Sequence, residues 1–405
     1  MSMAQRSLVM PGYLTELKAL IACQAYNFWQ KGETEPYVSH LNIYSSLHRA
    51  LKYLDWDSSR NMAYNQVGYH GDRVTTIQLG REPGTYYTAS ADGSILEWRI
   101  DKPKAIPEVV YKSSNIIRSL DISTDGSLLL AAFYQTGLAL IPIDNISNQD
   151  ITVLEDPEPV QTAVFIPGEN RYLSVTKQGD LKIKGFNQDT EKVGKTNLKV
   201  NELAVDKNDG TIYAGTAEGT LEAWEKPYEI DSEEMDGIIK EMESQSYFGY
   251  ELGTFAINCM DISSDGTHLA IGRERGDVIL WNLRNKNIIR VISSHQSAIT
   301  DIDFSPDGKL LLTTSRDKTA RLWDLSDSRK LPVILDDHED WVYAGSFDAT
   351  GTKVLTGSGD QFIRSWYIDP GEMASKICTL LSRNMTEEEW QEFVGKGVPY
   401  EKTCK

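Results

Sequence analysis

Cysteine and histidine are the scarce residues of this 405-residue chain, with four and six copies. So few thiols, with no paired metal spacing, exclude a disulfide-stapled scaffold and leave little from which to build a zinc site. They fit a reducing, cytoplasmic setting. Cys378 and Cys404, both in the C-terminal tail, are expected to lie close in space and to remain free thiols there. Basic residues are also in the minority: 41 Lys and Arg face 59 Asp and Glu, for a net charge of −18. General binding to DNA or to anionic membranes demands basic surface, so both are excluded. No secretory signal peptide opens the chain, and its N-terminal helical stretches are too short and too charged to span a membrane. Nor is there a Gly-x-Ser-x-Gly elbow, a His-Glu-x-x-His pair or a Gly-x-x-x-x-Gly-Lys-Ser/Thr loop. No cofactor or metal is implied.

What the chain does have is a repeat. Seven segments end alike, most clearly in Ser315-Arg-Asp-Lys-Thr-Ala-Arg-Leu-Trp-Asp324. The closing position is held by Trp98, Ile141, Lys184, Trp224, Trp281, Trp323 and Trp366, at intervals of 43, 43, 40, 57, 42 and 43 residues. A period of about 40–45 residues that closes on Trp or Trp-Asp resembles the WD repeat. The resemblance implies an all-β fold, a seven-bladed WD-repeat β-propeller over residues 61–369, preceded by an N-terminal helical hairpin (1–60) and followed by a short helical tail (370–405) packed on the propeller.

Blades 1, 6 and 7 carry the family's complete polar set: His70, Thr88 or Ser90, Asp92 and Trp98; His295, Thr313 or Ser315, Asp317 and Trp323; His338, Thr356 or Ser358, Asp360 and Trp366. By resemblance the Asp accepts from the His, the His meets a strand hydroxyl, and the hydroxyl meets the indole N–H. Such sets satisfy polar groups that would otherwise be buried unmet. A His beside Asp and Ser also suggests a hydrolase triad. Three copies at one blade period argue for structure, because an active site is built once. Blades 2 to 5 have drifted, with Gln135, Gln178, Glu218 and Arg275 at the Asp position, so packing must hold blades 2 and 3. The Asp303-x-Ser305-x-Asp307-Gly308 stretch and its echoes at 121–126 and 261–266 imitate a calcium loop. They lack its twelfth-position Glu and read as strand-to-strand turns.

Blade 7 needs an outer strand, and Asn61–Val67, just before His70, is the expected donor. At the start of each inner strand one position is apolar in all seven copies: Val74, Ile117, Val160, Val200, Ile257, Ile299 and Val342. The next is polar or amphipathic: Thr75, Arg118, Gln161, Asn201, Asn258, Thr300 and Tyr343. Alternation sends the second set to the opposite face, where it should ring one mouth of the central channel. An insertion at about 226–252 contains Asp231–Ser244, which reads as an acidic helix capped by Asp231 or Ser232.

At the ends, Leu14, Leu17, Leu20, Ile21, Ala25 and Phe28, then Leu41, Tyr44, Leu47 and Leu51, recur at helical spacing. Thr386 with Glu389 forms a capping box. The Ala-Cys-Gln-Ala-Tyr-Asn-Phe hairpin and the Arg-Asn-Met-Thr…Glu-Trp…Tyr…Thr-Cys tail resemble bacterial WD-repeat modules that accompany STAND-type NTPase or effector regions. The chain has no phosphate-binding loop of its own, so the ATPase would be a partner.

These features make the chain a non-enzymatic interaction scaffold or sensor module that binds a protein partner through the propeller rim. Trp341, Tyr343, Arg316, Arg118 and Arg73 are the expected binding residues, since aromatics and Arg dominate interface hot spots. The alternative is a hydrolase or lyase with carboxylates in the channel mouth. The polar ring weighs against it, because six of its seven members cannot act as acid or base near neutrality.

Overall fold

The computed structural model describes residues 2–10, 15–32, 40–55, 65–99, 106–135, 137–143, 152–154, 159–186, 190–195, 199–224, 247–293 and 295–404. They form two compact units, Val67–Lys330 with Ile334–Arg364, and Met1–Gln66 with 331–333 and Ser365–Lys405.

The larger unit is the propeller. The chain builds seven four-stranded antiparallel sheets, the blades. Their inner strands are Val74–Leu79, Ile117–Ile122, Val160–Phe165, Val200–Val205, Ile257–Ile262, Ile299–Phe304 and Val342–Phe347. Each therefore begins on the apolar position that the repeat singled out, and all seven of those side chains are buried. The core lies between neighbouring blades. Ile95, Val110 and Tyr87 of blade 1 meet Ile117, Leu120 and Leu129 of blade 2, and Leu130 and Leu140 of blade 2 meet Val160 and Tyr172 of blade 3. Blades 2 and 3, which lack the polar set, are thus filled by apolar side chains on both faces, as face-to-face sheet packing requires.

The seventh sheet takes its strands in the order Gln66–Tyr69, Phe362–Tyr367, Lys353–Ser358, Val342–Phe347. The chain's first strand closes its last blade, and the His70 N–H donates to the Gln361 carbonyl at 3.0 Å. This strand, Gln66–Tyr69, overlaps the end of the expected donor Asn61–Val67; residues 61–64 lie outside the described residues. Val67 and Trp98 then pack with Val74, Ile77, Leu355 and Ile363, so blade 7 meets blade 1. The supposed calcium stretches are hairpin turns: Gly308 sits at φ +69° while Ser305 donates to Asp307 and Leu310 N–H donates back to Ser305. Tyr247–Glu251, at the end of the stretch read as an insertion, is the fourth strand of blade 4. The acidic helix expected at 231–244 lies outside the described residues.

The smaller unit is helical: α1 (Met3–Val9), α2 (Thr15–Lys31), α3 (His40–Leu54), α4 (Pro370–Leu380) and α5 (Glu387–Phe393). α2 and α3 carry the helical stripes seen in the sequence, whereas the seven residues of α1 are too few to show periodicity but carry a Ser2/Gln5 capping box. Asp369 caps α4 ahead of Pro370, and Thr386 with Glu389 forms the expected box on α5. Leu17, Leu20 and Ile21 of α2 bury Met385 and Trp390 of the tail. Asn27 and Lys31 of the same helix hold Thr403 and Glu401. The tail's return brings Cys404 beside α4, where its N–H donates to Asn384 Oδ1 at 2.9 Å. Cys378 and Cys404 are consequently joined in a disulfide with Cα atoms 5.4 Å apart, which corrects the expectation of free thiols. No helix among the described residues is long and apolar enough to cross a membrane.

Candidate functional site

The three polar sets come first, because they decide which side chains are free to do anything else. In blade 6, Trp323 Nε1–H donates to Thr313 Oγ1 at 2.9 Å, and the same hydroxyl lies 2.8 Å from His295 Nε2. His295 Nδ1 lies 2.8 Å from Asp317. Asp317, held ionised, can only accept, so the Nδ1 proton points to it, the bare Nε2 accepts the threonine proton, and the threonine oxygen accepts from the indole. Donation runs one way, from Trp through Thr and His to Asp. Burial pushes His295 below the usual histidine range, against the pull of Asp317. Burial pushes Asp317 up, but hydrogen bonds from His295 and Thr319 outweigh it and hold the carboxyl low.

Blade 1 repeats the first half with Trp98, Thr88 and His70 at 2.7 Å each. There Ser94 is interposed, 3.0 Å from His70 Nδ1, while Asp92 stands 3.7 Å away. In blade 7 His338 meets Thr356 at 2.8 Å, but Arg364 takes Asp360 at 2.9 Å, and the buried Trp366 stacks on His48 of α3 at 5.1 Å. Among the described residues the whole relay is seen in blade 6, while in blade 1 Ser94 stands between His70 and Asp92. In each blade the hydroxyl is the threonine; Ser90, Ser315 and Ser358 instead receive the N–H of Asp92, Asp317 and Asp360. Drifted blade 5 solves the same turn with a buried Arg273–Asp277 pair at 2.9 Å.

The polar ring forms as the alternation predicted, but by a device the alternation did not reveal. Every inner strand slips register by one residue immediately after its apolar position. The extra residue in each bulge is the ring residue: Thr75, Arg118, Gln161, Asn201, Asn258, Thr300 or Tyr343. Bulges re-aim side chains, and all seven of these line one central cavity of about 920 Å³. Beside each bulge, the residue after the second strand donates its N–H to the carbonyl of the residue before the apolar position, at 2.8–3.0 Å in all seven blades. That builds an outer rim from Ala91, Tyr134, Lys177, Ala217, Glu274, Arg316 and Gly359, with Arg73 and Trp341 on the facing turns.

Two clusters stand on this rim. In the first, Arg316 lies over the Trp341 ring at 5.2 Å, Trp341 lies 6.1 Å from Tyr343, and Arg73 lies over Tyr343 at 5.8 Å. Glu274 joins it, 3.2 Å from Arg316 and 2.8 Å from Asn258. In the second, Lys177 lies 4.0 Å over Tyr134, with Arg118 on the same ring at 6.0 Å. Four of the five residues expected to bind a partner thus gather in one cluster, and Arg118 belongs to the other. Tyr134, Lys177 and Glu274 escaped the sequence reading. Their signal was present, since each occupies the repeat column of Arg316, one residue before the blade's Asp position.

Deeper in the channel the wall carries Asp121, Glu202, Asp261, Asp301 and Asp303. Four are ties between blades: Asp121 receives Phe165 N–H, Asp261 receives Phe304 N–H, Asp301 receives Gly345 N–H and Asp303 receives Phe347 N–H. Burial, the largest influence, raises Glu202 to about 7 despite a hydrogen bond from Leu203, and raises Asp301 to about 7. The folded chain therefore binds the Glu202 proton more tightly than the unfolded chain. Its stabilising effect is complete below the ordinary carboxylate pKa of 4.5 and is lost as pH rises through about 7. Glu202→Gln should accordingly raise the melting temperature at about pH 8 and change it little at about pH 5. A gain confined to the acid side would contradict this sign.

Residues 244–282, 286–324 and 329–367 match the family described as WD domain, G-beta repeat. Over 102 residues the chain is 30% identical to human WD repeat and SOCS box-containing protein 1, a stretch that covers 25% of this chain and 24% of that protein. It is 31% identical to mouse Jouberin over 156 residues, covering 36% and 14% of the two chains. To a mouse subunit of Chromatin assembly factor 1 it is 26% identical over 161 residues, covering 35% and 28%. The chain thus spans about a quarter of the length of the first of these relatives.

Proposed function

We propose that this WD-repeat β-propeller is a non-enzymatic scaffold or sensor module that captures a protein partner on the rim of its channel mouth. The observation that carries the reading is Trp341. Its indole is 41% exposed, propped between Arg316 and Tyr343 instead of buried in a blade. Equivalent positions elsewhere hold Arg73, Ile116, Pro159, Lys199, Ala256 and Ala298, so the fold makes no demand for Trp there. Exposed aromatics held by guanidinium groups are the make-up of interface hot spots. The relatives' names point the same way, one of them belonging to an assembly factor. Within this reading Trp341, Tyr343, Arg316 and Arg73 are the anchors, Arg118 adds a second contact, and the terminal motifs suggest a STAND-type ATPase or an effector protein as the partner.

A hydrolase or lyase would have to draw on Glu202 or Asp301, whose raised pKa values are of the kind found at catalytic sites. Asp301 already serves as a blade tie, which accounts for it without chemistry. A reducing cytoplasm and the Cys378–Cys404 bond pull in opposite directions, and the scaffold reading holds in either compartment.

Trp341→Ala and Arg316→Ala should each weaken partner capture by about 1–2 kcal/mol. Their melting temperatures should stay near that of the wild type. Pull-down from native lysate paired with thermal melts makes the measurement. Intact capture with lost stability would mean that these side chains hold blades together and that the partner docks elsewhere.

A further inference from the structure

The bulge residues divide into two groups. In blades 4, 5 and 6 they staple the ring: Asn201 donates to the Ile257 carbonyl at 2.9 Å, Asn258 to Ile299 at 3.1 Å, and Thr300 to Val342. On the opposite side, in blades 1 to 3, no such staple forms among the described residues. Gln161 is only 8% exposed and lines the channel, yet its amide makes no hydrogen bond to the described residues. The hydroxyls of Thr75 and Ser119 are buried in the same wall without partners. Arg118, beside them on blade 2, has Tyr134 under its guanidinium and neither a hydrogen bond nor an ion pair among the described residues. Buried polar groups are ordinarily satisfied, so two unmet hydroxyls beside an amide and a guanidinium that also lack hydrogen bonds call for an explanation.

All four can donate, and one is a permanent cation. We propose that this wall, formed by Thr75, Arg118, Ser119 and Gln161, receives the carboxylate of an Asp or Glu side chain carried on the protein partner. The inference rests on the scaffold reading and specifies what the partner inserts. A carboxylate accepts the two parallel N–H bonds that a guanidinium offers, with capacity left for an amide and a hydroxyl. Lys177, 4.0 Å over the neighbouring Tyr134 ring, adds attraction at the entrance. Glu202 on blade 4 opposes part of this positive charge. That balance suits a monoanion better than a doubly charged phosphate. The overall charge of −18 makes this local cationic wall selective, because the rest of the surface repels acidic chains.

The test uses the full chain and arrays of otherwise randomised peptides that fix Glu, Gln, phosphoserine or Lys at the central position. Glu peptides should be retained roughly tenfold or more over Gln peptides, as expected for a charge-assisted bond. Arg118→Gln should abolish that preference, and Arg118→Glu should transfer it to Lys peptides, which a merely misfolded variant would not do. Equal retention of Gln and Glu by the wild type overturns the proposal. A preference for phosphoserine over Glu overturns the carboxylate assignment. If Trp341→Ala lowers retention of every peptide while Glu and Gln remain equal, this inference fails and the scaffold reading stands. If no peptide is retained, this inference fails, while the scaffold reading is decided separately by the pull-down from native lysate.

Discussion

A Thr313→Val protein should lose about 2–5 kcal/mol of stability, the sum for two buried groups left without partners. Valine nearly matches threonine in shape, so the packing between blades 5 and 6 stays filled. The hydroxyl is what disappears. It is the acceptor for Trp323 Nε1–H and the donor to His295 Nε2, both of which are buried. With it gone, the one-way relay from Trp to Asp317 breaks in the middle, and neither end can reach water without opening the blade. Thr88→Val in blade 1 should behave similarly, since Thr88 makes the same two bonds at 2.7 Å. Gln178→Ala is the contrast. That side chain is exposed on a turn of drifted blade 3, and its loss should cost less than about 0.5 kcal/mol. Urea unfolding of the three variants decides the matter, and equal losses would refute the division into intact and drifted blades.

Gly68→Val should destabilise by about 2–4 kcal/mol, as overpacking does where the neighbour cannot move. Gly68 lies in the strand that closes blade 7. A Cβ built there would stand 2.4 Å from the nearest Trp98 ring atom, inside the indole. Trp98 cannot swing aside without giving up its bond to Thr88, so strain in the closing strand passes directly into the polar set of blade 1. Two blades should loosen together, with a lower and broader unfolding transition. Gly397→Ala controls for the loss of a glycine as such, because a Cβ there meets nothing within 4 Å. If Gly68→Val melted like the wild type, the register assigned to the closing strand would be wrong.

The blade count, the start of every inner strand and the ring of channel residues were all legible in the sequence. Each follows from a repeat whose period and alternation are set by local backbone geometry, so seven copies report the same rule. The capping box at Thr386 and the helical stripes of α2 and α3 were legible for the same reason, since their determinants lie within a few residues. What the alternation could not show is the bulge after Val74, Ile117 and their equivalents. A register slip is a property of two strands, visible only once both are paired.

The order of residues alone is enough to specify the propeller, its three histidine-bearing blades and the side chains that ring the mouth. Folding in three dimensions settles the rest. It selects threonine over serine as the relay hydroxyl, because only the threonine stands between indole and imidazole. It bonds Cys378 to Cys404, because α2 provides the surface on which the tail folds back. It separates Arg118 from the Trp341 cluster and leaves Gln161, Thr75 and Ser119 beside it without partners among the described residues. Those outcomes depend on distances between residues far apart in the chain, which no local pattern encodes.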